Sequence, residues 1–228
     1  MKLTQTIGRA CIAFVAVGAL ASLPSAAQDD PEGFKIGFFG GASVPQAGVD
    51  NVFQKLKSDG VIQSYDAAKS SGLHFGAKVR LGIGDNFSLQ GTASINQFAN
   101  QQQSLSIGGV RVPSVLTSSS HVPVTAGITW LPLRSFVMLG VSAEVVFAYR
   151  SVGLAADQRD LLDDFNIDMK NFEYSRSGLG AAVGVMAAID LAGLQPYFEV
   201  KNIWSNQFIQ QQGDPQTSFM QISLGLML

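Results

Sequence analysis

From Leu73 to Ile83 the odd positions carry Leu73, Phe75, Ala77, Val79, Leu81 and Ile83, and the even ones His74, Gly76, Lys78, Arg80 and Gly82. Successive side chains of a β-strand point to opposite faces, so this period of two specifies a strand with one apolar and one mixed face. The pattern recurs about eight times along the chain. Phe34, Ile36 and Phe38 oppose Lys35, Gly37 and Phe39, and Phe87, Leu89, Gly91, Ala93 and Ile95 oppose Ser88, Gln90, Thr92, Ser94 and Asn96. Val122, Val124, Ala126, Ile128 and Trp130 oppose His121, Pro123, Thr125, Gly127 and Thr129. The stretch from Phe136 to Tyr149 is apolar on both faces apart from Ser142 and Glu144. Leu179, Ala181, Val183, Val185, Ala187 and Ile189 then oppose small residues and Met186, and Phe198 and Val200 oppose Tyr197, Glu199 and Lys201. The last nine residues set Met220, Ile222, Leu224, Leu226 and Leu228 against Gln221, Ser223, Gly225 and Met227.

Such faces suit either a soluble barrel with its apolar side inward or a lipid-embedded one with that side outward. The start of the chain bears on the choice. Lys2 and Arg9 precede an apolar stretch from about Ala10 to Leu23, followed by the small-residue site Ser25-Ala26-Ala27. This is the layout of a cleaved export signal, and the apolar stretch is short of the roughly 20 residues of a spanning helix. The expected division is residues 1–27 as signal peptide and 28–228 as one barrel domain. Cys11, the only cysteine, would leave with the signal, so neither a disulfide nor a thiol site is expected. Loss of Lys2 and Arg9 takes the formal charge from −2 to −4, so no basic excess exists to hold nucleic acid.

The connections carry a second, independent signal. Gly84-Asp-Asn86, Leu131-Pro-Leu-Arg134 and Asp190-Leu-Ala-Gly193 read as tight turns, whereas 45–71, 97–119, 150–177 and 206–217 read as long polar segments. Short and long connections therefore alternate, as in barrels with short periplasmic turns and longer outer loops. The fold expected is all-β: an eight-stranded antiparallel up-and-down transmembrane β-barrel, with both termini on the periplasmic side.

The chain resembles the small outer-membrane β-barrel proteins of the OmpA/OmpX-like type. The resemblance is carried by His121-Val-Pro-Val-Thr-Ala-Gly-Ile-Thr-Trp130, Phe136-Val-Met-Leu-Gly-Val-Ser-Ala-Glu144, Gly178-Leu-Gly-Ala-Ala-Val-Gly184 and Pro196-Tyr-Phe-Glu-Val-Lys201. It implies residence in the cell outer membrane of a Gram-negative-type bacterium, with outer-membrane lipid as the constant partner. It also implies passing contact with periplasmic chaperones and the barrel-assembly machinery. In such families the terminal strand is read for insertion, which points to Leu224, Leu226 and Leu228 as the assembly signal. Leu228 stands where those families place an aromatic residue, and Ser223 near their usual glycine. Aromatic girdles are expected from Phe34, Phe87 and Trp130 on the inner side and from Phe75, Tyr149 and Trp204 on the outer.

Parity sends Lys35, Lys78, Arg80 and Lys201 inward together with Glu144 and Glu199. Charges in a narrow interior are costly unless paired, so a lumenal salt-bridge network is expected. The inward glycines, among them Gly37, Gly76, Gly184 and Gly225, are expected to leave room for these long side chains. His74 and His121 are the only histidines, and Ser118-Ser-Ser120 lacks the G-x-S-x-G setting of a nucleophile. No catalytic residue, metal site or cofactor is therefore expected. Asp157-Gln-Arg-Asp160-Leu-Leu-Asp163-Asp164 lacks the order of an EF-hand loop and reads as a solvated acidic segment. Two residues strain the pattern: Pro123, which calls for a rim position or a bulge, and Asn202, which falls on the lipid parity and suggests a bulge there or a strand irregularity above the membrane.

The resulting reading is a non-enzymatic envelope scaffold or surface-loop interaction protein, with the partner of its loops unnamed. The alternatives are a narrow porin-like diffusion channel and a soluble periplasmic lipocalin-like barrel that binds an apolar ligand.

Overall fold

The computed structural model describes residues 33–49, 64–67, 71–107, 110–154, 174–209 and 216–228. The expected export signal and the acidic stretch 157–164 lie outside the described residues. Among the described residues nine strands follow one another: β1 (Phe34–Ala47), β2 (Ser64–Ala67), β3 (Gly72–Gly82), β4 (Phe87–Ile107), β5 (Val110–Arg134), β6 (Val137–Leu154), β7 (Tyr174–Ile189), β8 (Gln195–Ile209) and β9 (Ser218–Met227). Eight of them, all but β2, form a closed antiparallel barrel. Each pairs with its sequence neighbour, and β9 returns to pair with β1 from Gly37↔Met227 to Ala47↔Ser218. The short β2 lies outside this ring, paired to the far end of β4 through Ser64↔Ser106.

Alternation has the expected sense, apolar outward. Leu73 is 74% exposed, Phe75 63% and Leu224 69%, while the inward Lys78, His121 and Thr129 are 0% exposed. That orientation rules out the lipocalin-like arrangement, which needs the opposite one. Phe34, Phe87 and Trp130 are exposed near the short turns, with Phe87 and Trp130 in register across β4 and β5. Among the described residues there is no helix.

Several boundaries differ from the sequence reading. The segment 97–119 is mostly not a loop: β4 runs on to Ile107 and β5 starts at Val110, with pairing from Ile107↔Val110 downward. Ladder hydrogen bonds are indifferent to side-chain polarity, so a strand continues beyond the lipid although its apolar rhythm has stopped. The turn expected at 131–134 lies instead at Ser135 and Phe136, with a register shift between Trp130 and Leu133. Pro123 makes no bulge. Register is the same on both sides of it, but Ala93↔Val124 and Asn96↔His121 flank a stretch where β4 and β5 do not pair. A residue without an amide hydrogen opens the ladder locally. Asn202 stays in regular register with Val183 and Met220, and the β7–β8 irregularity falls beyond it, between Leu179 and Ala181.

The turn between β7 and β8 places Ala192 at φ 55° and Gly193 at φ 101°, between the bridged pair Leu191 and Leu194. Two consecutive positive φ values make the tight reversal whose twist suits a hairpin. Asp190 stabilises it by accepting from the Gly193 amide at 3.1 Å and from Gln195 Nε2 at 3.3 Å. The Gly193 amide hydrogen bond is the main reason that the Asp190 carboxyl is held below the usual carboxylate range.

Closure depends on the last residues. Leu228 exchanges backbone hydrogen bonds with Ile36 at 2.8 and 3.1 Å, and Leu226 lies between Phe38 and Pro196. Deleting Leu226–Leu228 strips ladder partners from both β1 and β8 within hydrocarbon, where no water replaces them. The expected outcome is loss of the heat-modifiable, membrane-embedded form on semi-native electrophoresis. Normal levels of that form would show that closure does not need these residues.

Candidate functional site in the barrel lumen

Alternation aims every second side chain at the barrel axis, and register sets the heights. Lys78 pairs with Gly37 on one side and Thr92 on the other, and at about this level four charged groups meet. Lys78 Nζ donates to Glu199 Oε1 at 2.7 Å. Lys201 Nζ lies 2.8 Å from Glu144 Oε1 and 3.9 Å from Glu199 Oε1. The four therefore form one chain, Lys78–Glu199–Lys201–Glu144, with two cations offset by two carboxylates. Their side chains are 0–3% exposed.

Neutral groups add to the bonds of the Glu144 carboxylate. Gln90 Nε2 donates to Glu144 Oε1 at 2.6 Å, Ser142 Oγ donates to the same oxygen at 3.0 Å, and Thr125 Oγ1 donates to Oε2. Lys78 Nζ also stands 4.8 Å from the centroid of the Tyr197 ring, within reach of its electron-rich face. This is the condition under which buried ions persist: paired, and with remaining valences hydrogen-bonded.

Arg80 and Lys35 do not join this chain. They sit one level nearer the short turns, where Arg80 Nη2 donates to Gln195 Oε1 at 2.5 Å and Lys35 Nζ donates to the Gly193 carbonyl at 3.3 Å. Of the inward glycines, Gly184 stands beside Ser142 and the stem of Lys201, but three others serve differently from the expectation. A Cβ on Gly225 would stand 2.4 Å from the Tyr197 ring, one on Gly76 2.6 Å from Phe39, and one on Gly37 2.7 Å from the Met227 side chain. The space they leave is taken by aromatic and thioether groups.

Above the ions lies a polar ring that the sequence reading did not single out. Ser43 Oγ donates to Asn96 Oδ1 at 2.7 Å, and Gln221 Nε2 donates to the same oxygen at 2.7 Å and to Ser94 Oγ at 3.0 Å. His74 bridges Ser43 through Nδ1 at 3.0 Å and Ser223 through Nε2 at 2.8 Å. Because the single Ser43 hydrogen goes to Asn96, neutral His74 carries its proton on Nδ1 and accepts from Ser223. The inward parity of Gln90, Asn96, Gln221 and Ser223 was legible, but their partners lie on distant strands and left no local signal.

Apolar layers close both ends. Toward the short turns, Phe39, Leu131, Met138, Met186, Ala188, Tyr197 and Met227 form one buried cluster. Toward the outside, Phe98, Val146, Ala148, Ala182, Ile203 and Phe219 form another with Val49. His121 packs edge-on to Phe98 and Phe219 in that upper layer, with centroids 5.4 and 5.5 Å away.

A closed eight-stranded barrel with a greasy wall and a filled polar core agrees with the comparison by family. Residues 26–202 match the model described as outer membrane protein beta-barrel domain. The chain belongs to that family. As an outer membrane protein beta-barrel domain, it resides in the outer membrane with its apolar wall against lipid. No curated protein matches it. Among solved structures, it is similar to Neisserial surface protein A, with TM-score 0.51 at 10% identity over 86% of this chain and 96% of that one. OprG from Pseudomonas aeruginosa gives 0.47 at 11% identity, covering 86% of this chain and 97% of that one. Ail of Yersinia pestis gives 0.46 at 13%, covering 86% and 99%. At these identities the likeness is one of fold alone.

Breaking one link of the ion chain leaves a cation buried without its counter-charge. Glu144→Gln, with Lys201 and three neutral donors left facing an amide, is expected to lower barrel stability by about 3–5 kcal/mol, the usual cost of orphaning a buried ion. Glu199→Gln is expected to act in the same direction. Urea unfolding in lipid vesicles, followed by tryptophan fluorescence, reads both. An unchanged midpoint in both variants would mean that the chain contributes nothing to holding the barrel together.

Proposed function

We propose that the protein is a non-enzymatic scaffold of the outer membrane, with a plugged lumen and an elongated outer hairpin that serves surface contacts. The observation that carries this reading is the burial of the ion chain. Lys78 has no exposure and Lys201 only 2%, and apolar layers lie above and below them. A diffusion path needs a hydrated, accessible lining. Both ring nitrogens of His74 are engaged by serines deep in the same core, which suits a structural histidine better than a catalytic one.

The outer hairpin supports the display part of the proposal. β4 has 21 residues and β5 has 25, whereas roughly 9–11 cross a bilayer. About half of each strand is thus available beyond the lipid, and β2 widens this extension. Leu224, Leu226 and Leu228 are 69%, 40% and 63% exposed on the outer wall, in keeping with a terminal segment offered to the assembly machinery.

Planar-bilayer recording separates scaffold from channel. Conductance of the purified protein is expected to be small and intermittent. A large, steady, anion-selective conductance would replace the scaffold with the porin-like reading. For the display role, removing the tip from Gln101 to Leu116 is expected to leave assembly intact while abolishing the protein's contribution to cell adherence and to detergent resistance of the envelope. Full complementation by the shortened protein would place its role in the wall or the lumen.

A further inference from the structure

Two pairs of facing hydroxyls in the lumen wall behave differently. Thr92 and Thr125 stand opposite each other on β4 and β5, and their hydroxyls bond directly at 2.6 Å. Ser88 and Thr129 stand opposite each other in the same register, nearer the short turns, yet neither hydroxyl has a partner among the described residues. Both residues are 0% exposed. The side-chain oxygen of Gln90 is a third atom of this kind, on a residue 4% exposed that lies between Ser88 and Thr92 on the same face of β4. Three buried polar oxygens in one patch of two strands call for a shared partner, because a buried polar atom left unbonded loses its hydration without return.

Register brings the three oxygens together. Gln90, Gly127 and Glu144 lie in line across β4, β5 and β6. With no side chain at Gly127, Gln90 reaches over β5, and its Nε2 donates to Glu144 Oε1 at 2.6 Å. The amide is thereby held above β5, where Thr129 is the next lumen-facing residue toward the short turns. Thr125, the next one in the other direction, already has its hydroxyl engaged by Thr92 and Glu144. The Thr129 methyl is turned to β6, since a Cβ on Gly140 would meet it at 3.2 Å, so its hydroxyl points away from that strand. Ser88 stands in register between Thr129 and Gly82, and no side chain of β3 takes the place beside it. Facing residues of a strand pair have Cβ atoms about 4.5–5.5 Å apart, a gap that one oxygen atom bridges with two ordinary hydrogen bonds.

We propose that Ser88, Thr129 and Gln90 hold one internal water molecule. The water accepts from the two hydroxyls and donates to Gln90 Oε1, which satisfies all three atoms and uses three of its four valences. An anion would face the lone pairs of Gln90 Oε1, and a cation would stand beside Arg80, the neighbour of Gln90 in register on β3, so a neutral ligand fits. The water extends the bonds of the ion chain from Glu144 through Gln90 to a part of the wall that no charged group reaches. The inference rests on the burial of these atoms and not on the scaffold role.

Crystals of the protein grown from a lipidic mesophase, at a resolution that shows ordered solvent and with one crystal soaked in bromide, test the site directly. A single peak is expected within hydrogen-bond distance of Ser88 Oγ, Thr129 Oγ1 and Gln90 Oε1, without anomalous signal from bromide. Stability gives a second reading through Ser88→Ala, Thr129→Val and the double variant, unfolded by urea in lipid vesicles, with heat-modifiable mobility confirming the fold of each. Either single variant is expected to lower the midpoint by about 0.5 M. The double variant should fall little further than either one, because both changes release the same water. A direct bond between the Ser88 and Thr129 hydroxyls, bromide at the site, or no peak there would overturn the proposal. So would a raised midpoint for Thr129→Val, the mark of a hydroxyl that had no partner to lose, or losses that add in the double variant.

Discussion

A backbone amide inside a bilayer has no water to bond to, and everything else in this molecule follows from that constraint. Each N–H and C=O in the lipid must find a partner in the protein, which for strands requires a ring without edges. The ring is completed where β9 meets β1, down to the two hydrogen bonds between Leu228 and Ile36. Once the ring is closed, one face of every strand is committed to hydrocarbon and the other to a space too narrow for bulk water. The unpaired stretch of β4 and β5 at Pro123 is a local lapse that leaves the register on either side of it unchanged.

The interior solves the complementary problem. Eight strands enclose about enough room for side chains alone, and this chain sends lysines and glutamates into it. Isolated, each would cost several kcal/mol in lost hydration. Linked as Lys78–Glu199–Lys201–Glu144, and with Glu144 receiving three further donors, they become a cross-brace between β3, β6 and β8. The polar ring of Ser43, His74, Asn96, Gln221 and Ser223 braces β1, β3, β4 and β9 in the same way. Apolar layers at either end then exclude the water that would weaken both.

The outer wall carries information as well. A lipid-facing strand needs only to be apolar, so its residues are free to vary in size. The barrel has used that freedom to set the small pair Gly91 and Ala126 one step along the strands from the bulky pair Leu89 and Ile128. The elongated hairpin of β4 and β5 shows the same economy of means, because a ladder formed in lipid continues into water without new elements.

How much was legible in the sequence depended on whether the signal was local. Period-two alternation is a local property, so it determined the strand class, the inward and outward sets, and the outward sense of the apolar face. The order of short turns determined the antiparallel ring. Parity also placed Lys78, Glu144, Glu199 and Lys201 in the lumen together. What it left open was which cation meets which carboxylate, because heights on different strands depend on register and shear. Only the tertiary structure moved Arg80 and Lys35 down to Gln195 and the Gly193 carbonyl. It alone brought Gln90 of β4 to Glu144 of β6, a contact that skips the strand between them and spans 54 residues of sequence. It also decided that β4 and β5 outlast their apolar rhythm, since backbone pairing is blind to side-chain polarity.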